Sequence, residues 1–224
     1  MKHIVVIVAG GVGKRMKADI PKQFLKIKDK TILQYTIDAF KNMADELVLV
    51  LPEDQVSTWK NICNEAELEI NYEIIVGGKE RFFSVQNAIN HLFDHHELSD
   101  VIISIHDGVR PLVSAETIKN TYTLAIEKEA AIPLVSLKES LREITEEGSE
   151  HVDRNNFKSV QTPQSFQGEL LYQAYQQSFS PLFTDDASVV EQFGLAIAVT
   201  QGNEENIKIT TPLDLKLASI IINQ

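Results

Sequence analysis

With one cysteine in 224 residues, Cys63, the chain can form no intrachain disulfide and no zinc site built from several thiolates, which fits a reducing compartment. Cationic side chains are scarce, 21 Lys and Arg against 32 Asp and Glu, for a formal charge of −11. That balance argues against a general nucleic-acid surface or an anionic membrane. A phosphate ligand can be held only where the few basic residues gather. Long apolar runs are missing too. Ile4–Ala9 is far below the roughly 20 residues that cross a bilayer, and it leads into glycines rather than a small-residue cleavage site. The expectation is a cytoplasmic protein. Repeats, low-complexity tracts and linkers are absent, so a single domain over 1–224 is expected. At 43% hydrophobic and 24% charged residues, the chain has the composition of a globular protein with a sizeable core.

Short runs rich in Val and Ile alternate with longer amphipathic stretches. Ile4–Ala9, Glu46–Leu51, Tyr72–Val76, Val101–Ile105 and Ala130–Val135 read as strands, apolar nearly throughout, which implies a sheet covered on both faces. Ile32–Met43, Asp54–Glu65, Phe82–Phe93 and Ala115–Lys128 have helical spacing, and Thr211-Pro212 should cap a last helix through Ile221. This order predicts an α/β fold, a mostly parallel sheet flanked by helices. One segment breaks the rhythm. Residues 138–161 carry two short alternating runs around Glu146-Glu147-Gly148-Ser149, the pattern of a hairpin. An isolated hairpin is marginal in water, so this arm must pack on the main body or on a second subunit.

The first strand runs into Ala9-Gly10-Gly11-Val12-Gly13-Lys14-Arg15-Met16, then Pro21-Lys22-Gln23. The third glycine of a dinucleotide fingerprint is missing where Met16 stands, as is the G-K-[ST] of a Walker loop. The glycines can still turn backbone N–H groups onto a phosphate, although a plain tight turn reads equally well. Other strand ends carry the same chemistry: Gly77-Gly78-Lys79-Glu80-Arg81 leading to Ser84, His106-Asp107-Gly108-Val109-Arg110-Pro111, and Asn206-Ile207-Lys208-Ile209-Thr210 before the last helix. Each cation alone would pass as a solvated surface charge. Arg15, Lys22, Arg81, Arg110 and Lys208 all sit at strand ends or glycine turns, where open α/β sheets bind ligands, and should converge on one edge.

The ordered set G-G-x-G-x-R-M, P-K-Q, G-G-x-x-R-x-x-S-V, H-D-x-x-R-P, V-D-R-N, Q-T-P-Q-x-F, T-D-D-A-S and N-I-K-I-T resembles the 2-C-methyl-D-erythritol 4-phosphate cytidylyltransferases of non-mevalonate isoprenoid synthesis. Gly108-Val109 departs from the two alanines frequent there, which should loosen that loop. The resemblance implies a Rossmann-like nucleotidyltransferase sandwich that joins CTP to a sugar-alcohol phosphate with release of pyrophosphate. It implies Mg²⁺ on the triphosphate and a homodimer through the arm. It assigns Arg15, Lys22 and Lys208 as catalytic cations. Ala9, Gly10, Gly11, Gly13, Met16, Gly77, Gly78, Arg81, Ser84, Asp107 and Gly108 should surround the nucleotide. Asp107, Arg110, Thr162 and Thr184 should hold the sugar phosphate, with Ser140 and Arg154 donated by the partner's arm, although an arm salt bridge reads as well for Arg154. Ribitol-5-phosphate cytidylyltransferases share the glycine loop, P-K-Q and T-P-Q and remain an alternative, as does a CTP-binding module without turnover.

Overall fold

In a computed structural model, residues 1–11, 16 and 20–223 are described. The chain opens with β1 (Lys2–Val8), a 3-10 turn at Lys22–Phe24 and a small ribbon of β2 (Lys26–Ile27) and β3 (Lys30–Thr31). Helices and strands then alternate: α1 (Ile32–Phe40), β4 (Glu46–Leu51), α2 (Glu53–Glu65), β5 (Glu73–Val76), α3 (Arg81–His95), β6 (Val101–Asp107), α4 (Ala115–Lys128) and β7 (Ala130–Ser136). The second half adds β8 (Leu141–Thr145), β9 (Gly148–Val152), β10 (Lys158–Val160), β11 (Gln164–Gln167), α5 (Gly168–Ala174), α6 (Asp186–Gln192), β12 (Ala198–Gln201) and α7 (Pro212–Ile222).

Eight strands make one sheet in the order β10-β7-β11-β6-β1-β4-β5, with β12 also paired to β7. β6, β1, β4 and β5 are parallel, and β11 is antiparallel to both β6 and β7. Side chains alternate between two cores, as a sheet covered on both faces requires. Ile4, Val6 and Val8 face α3 and α5, while Val5, Ile7 and Ala9 pack with α1 and α2. The register sets Val8 beside both Val50 and Asp107, and Leu51 beside Val76, so the carboxyl ends of the parallel strands share one edge.

Several boundaries differ from the expected ones. β6 runs two residues past Ile105, because His106 and Asp107 stay in the ladder opposite Ile7 and Val8. α1 stops at Phe40, where Met43 and Ala44 both turn back to the Phe40 carbonyl. The capping prediction for α7 holds. Thr211 Oγ1 accepts the Asp214 N–H and Asp214 returns the bond, with Pro212 in the first turn.

The arm is narrower than its sequence suggests. Only β8 and β9 stand apart as a two-stranded ribbon, closed by Thr145 opposite Gly148, where φ is +140°. β10 rejoins the main sheet against β7. The ribbon's side chains are mostly exposed, Ile144 at 80%. Within one chain, the arm is not covered by its own body.

Candidate active site

Two cups open at the carboxyl edge of the sheet and share a wall. The first, of about 360 Å³, is lined by Gly10, Gly11, Lys22, Gly78, Ser84 and Lys208 among others, with Ala9 at its floor. Pro21 starts the 3-10 turn that aims Lys22 under the glycine segment. Lys22 is 9% exposed, and a Cβ on Gly11 would stand 3.3 Å from its Cε, so glycine there permits the close approach. The neighbouring Gln23 amide donates to the Ala9 carbonyl at 2.7 Å and to Gln55 at 2.5 Å, tying turn, strand end and α2 together. Met16 is buried nearby in sequence, whereas Gly13 and Arg15 lie outside the described residues.

The far side of this cup is the Gly77-Gly78 turn. A Cβ on Gly78 would fall 2.4 Å from the Phe83 Cβ, so only glycine allows β5 to enter α3 so tightly. The Ser84 hydroxyl accepts the Gly78 N–H at 3.1 Å and donates to the Glu80 carbonyl at 3.1 Å. It thereby fixes the turn, in addition to any contact with a base. Gly108 lets the ends of β1 and β6 meet, since its Cβ would stand 2.7 Å from that of Ala9. Its N–H donates to Val8 and its carbonyl accepts from Thr36, so the Gly108-Val109 loop is tied down rather than loosened.

The second cup, about 260 Å³, is lined by Arg110, Thr162, Thr184 and Asp185, and it shares Arg81, Asp107 and Lys208 with the first. Asp107 is the centre of that common wall. Its Oδ2 lies 3.0 Å from Lys208 Nζ and 3.1 Å from Arg110 Nε, and its Oδ1 is 3.7 Å from Arg81 Nε. Burial works against its charge, but Lys208, Arg81 and Arg110 outweigh burial and hold the carboxyl well below the usual carboxylate range. Asp107 is therefore an anion fixed among three cations at any physiological pH.

Hydrogen bonds behind the wall fix its position. Burial lowers the His106 pKa to about 4, so the imidazole is neutral at pH 7. The Arg110 carbonyl, which can only accept, lies 3.0 Å from Nε2, which must therefore carry the proton. Nδ1 then accepts from the Thr162 hydroxyl at 3.0 Å, and Thr162 Oγ1 in turn accepts the Asp107 N–H at 3.1 Å. The Thr162 hydroxyl proton is thus already engaged, and this residue positions Asp107 whatever else it touches. A pH dependence follows. Between about 6.5 and about 4 an unfolded chain binds more protons at this histidine than the folded one, so stability falls as the solution is acidified across that window. The loss should reach about 3 kcal/mol at the low end. Thermal unfolding followed from pH 7 to pH 4 should show this slope. His106→Asn should flatten it, leaving the smaller contribution of His3, whose pKa burial also lowers. An unchanged slope in His106→Asn would refute the assignment.

Of the expected site residues, Lys22, Arg81, Lys208, Asp107, Arg110, Thr162 and Thr184 line the two cups with Ala9, Gly10, Gly11, Gly78 and Ser84, while Gly77 and Gly108 shape the turns behind them and line neither. Ser140 and Arg154 line neither. Ser140 is exposed, and Arg154 donates from the arm's base to the Lys138 carbonyl. Three contributors were not expected from sequence. Gln164 bonds both Asp185 and the Ala187 N–H, which seats the start of α6. Asp186 grips Arg81. The Asn206 side-chain amide donates to the Thr162 carbonyl at 2.8 Å, while the Asn206 backbone carbonyl accepts from Arg110 at 2.8 Å. Their motifs were visible, but nothing in a sequence tells a buried amide clamp from a solvated one. A separate cavity of about 220 Å³, lined by Asp38, Asp45, Glu46 and Trp59, opens near the start of β4 and holds none of these residues. Among the described residues, no group of three or more His, Cys, Asp or Glu could hold a metal by itself.

A mostly parallel α/β sheet with two adjoining cationic cups at its carboxyl edge defines an enzyme class that brings two anionic ligands against one wall. The 2-C-methyl-D-erythritol 4-phosphate cytidylyltransferase profile matches residues 3–224, and the chain belongs to that family. It is 46% identical to the enzyme of that name from Bacteroides thetaiotaomicron, over 99% of this chain and 100% of that one. It is 37% identical to the one from Clostridioides difficile, over 99% and 94%. Among solved structures, the cytidylyltransferase from Thermus thermophilus superposes with a TM-score of 0.78 at 28% identity, covering all of both chains. The 4-diphosphocytidyl-2C-methyl-D-erythritol synthase from Anaerococcus prevotii gives 0.82 at 25% identity, covering 100% of this chain and 96% of that one.

Proposed function

We propose that this chain transfers a cytidylyl group from CTP to 2-C-methyl-D-erythritol 4-phosphate, with the nucleotide in the first cup and the sugar phosphate in the second. The observation that carries the reading is the shared wall of Arg81, Asp107 and Lys208. A phosphate oxygen of the sugar attacks the α-phosphorus of CTP, the bond to the β-phosphate oxygen breaks, and pyrophosphate leaves. A phosphate monoester has a second pKa of about 6, so the nucleophile is already largely dianionic and needs no general base. The neutral, internally bonded His106 fits that economy. What remains is anion–anion repulsion and charge growing at the α-phosphorus, and positioned cations answer both. Lys22 under the glycine segment faces the triphosphate, with Arg15 assigned beside it by family resemblance, and Lys208 stands on the shared wall. Arg110 and Thr184 face the sugar phosphate from the second cup.

Among the described residues, Asp107 is the one carboxylate on the common wall, and as a hard oxygen donor it suits a Mg²⁺ whose other ligands would be phosphates and water. When bound there, the ion neutralises the polyphosphate. The exposed β8–β9 arm supports a homodimer in which Ser140 and Arg154 complete a partner's second cup. No described helix is long and apolar enough to cross a membrane, and we place the enzyme in the cytoplasm.

Pyrophosphate release tests the substrate. Methylerythritol phosphate should turn over well above ribitol phosphate, and CTP well above UTP or ATP. Faster turnover with ribitol phosphate would move the chain to that relative's activity, and CTP binding with no turnover on any polyol phosphate would make it a binding module.

A further inference from the structure

The shared wall has a second layer that no substrate reaches. Asp186 opens α6 and is completely buried, at 0% exposure. It accepts Arg81 in a fork, Nη1 to Oδ1 at 2.8 Å and Nη2 to Oδ2 at 2.5 Å, and the Tyr175 hydroxyl donates to the same Oδ1 at 2.6 Å. Its location is itself fixed: Asp185 caps α6 and is held by Gln164, which also takes the Ala187 N–H. Both terminal nitrogens of Arg81 are thus oriented away from an incoming phosphate, and its Nε faces Asp107 Oδ1 at 3.7 Å. The other Asp107 oxygen receives Lys208 and Arg110.

We propose that Asp186 is a positioning residue for the transfer: by holding the Arg81 fork it keeps Arg81 from capturing Asp107, and so leaves Asp107 Oδ2 to set Lys208 and Arg110 on the wall between the cups. The physical reason is competition. A guanidinium prefers a two-bond fork with a carboxylate, and among the described residues two carboxylates, Asp186 and Asp107, lie within 4 Å of it. With Asp186 present, Arg81 forks onto it and touches Asp107 only at long range. Without Asp186, Arg81 turns its fork onto Asp107 and takes the oxygen that orients Lys208. A shift of about 1 Å in such a group can cost on the order of 10² in rate.

This inference rests on the roles proposed above for Asp107 and Lys208, and its test separates the two. Asp186→Asn should lower kcat by about 10²-fold while KM for CTP changes little. Tyr175→Phe, which removes only the hydroxyl that Asp186 accepts, should lower kcat by a smaller factor. Arg81→Met, which removes the competing guanidinium together with its own share of the wall, should lower kcat by less than Asp186→Asn does. The charge-neutral pair Arg81→Met with Asp186→Leu should be no worse than Arg81→Met alone, because Asp186 acts only through Arg81. That pair also guards against misfolding, since a buried ion pair replaced by apolar groups usually keeps the fold. A merely structural Asp186 would shift the unfolding midpoint and leave kcat of the folded enzyme intact, and that result overturns the proposal. A crystal structure of Asp186→Asn reads the geometry without turnover. Arg81 should sit on Asp107 with Lys208 displaced, and an unchanged Asp107–Lys208 pair would sink the inference. Absence of turnover in the wild-type enzyme would instead refute the substrate reading, leaving that crystallographic result to decide this one.

Discussion

Lys22→Ala is expected to lower kcat by about 10²–10³-fold while raising KM for CTP far less, because one preorganised donor aimed at developing charge is typically worth that much. The residue is largely buried, its side chain lies against Gly11, and the glutamine that follows it is bonded to the strand end. Its position costs nothing to organise at the moment of reaction, and its surroundings screen it poorly. Lys208→Ala should behave alike, since its ammonium is set by Asp107 on the wall where the two ligands meet. Arg15→Lys should also be poor if the family role of Arg15 holds, because an ammonium cannot reproduce a guanidinium fork. Steady-state kinetics on variants with wild-type unfolding midpoints decide the matter. A rise in KM with kcat preserved would reduce these lysines to triphosphate binders, and the charge-stabilisation mechanism would fail.

Which parts of this machinery a sequence can show depends on how local their physics is. The parallel core strands were legible because burial on both faces demands unbroken apolar runs, and the helices through their apolar spacing, with Thr211 marking the start of the last one. β11 was not, although it lies at the heart of the sheet. Its Gln164 and Ser165 are buried polar residues satisfied by Asp185 and Ser104, and strand periodicity carries no trace of such long-range bonds. α5 and α6, seven residues each, are too short for a 3.6-residue period to stand out. The converging cations were legible as a set through the rule that ligands bind beyond strand carboxyl ends. Asp186 was not, because an acid just after a helix cap reads as a solvated first-turn residue. The arm's turn was visible, but not the return of Lys158–Val160 to the main sheet, since that depends on the neighbouring β7.

The arm carries the other large effect. Its ribbon leaves Ile144 and most neighbouring side chains exposed and places Arg154 on neither cup of its own chain. If arms are exchanged between subunits, Arg154 serves the partner's sugar-phosphate cup, whereas Lys22 serves its own nucleotide cup. Two variants each disabled at every site can then repair one another. In a homodimer of Lys22→Ala, each site lacks its own lysine; in one of Arg154→Ala, each lacks the donated arginine. A mixed dimer has one site with neither and one with both, the latter in the Arg154→Ala subunit. Random pairing of equal amounts makes about half of the dimers mixed, so co-refolded enzyme should regain about a quarter of wild-type activity from parents that have almost none. The readout is pyrophosphate release from the mixture, with subunit exchange verified by differently tagged chains. Recovery near that level requires a site built from two subunits. Mixed dimers as inactive as their parents would mean that Arg154 acts within its own subunit or has no part in the site, and the exposed arm would then need a different explanation.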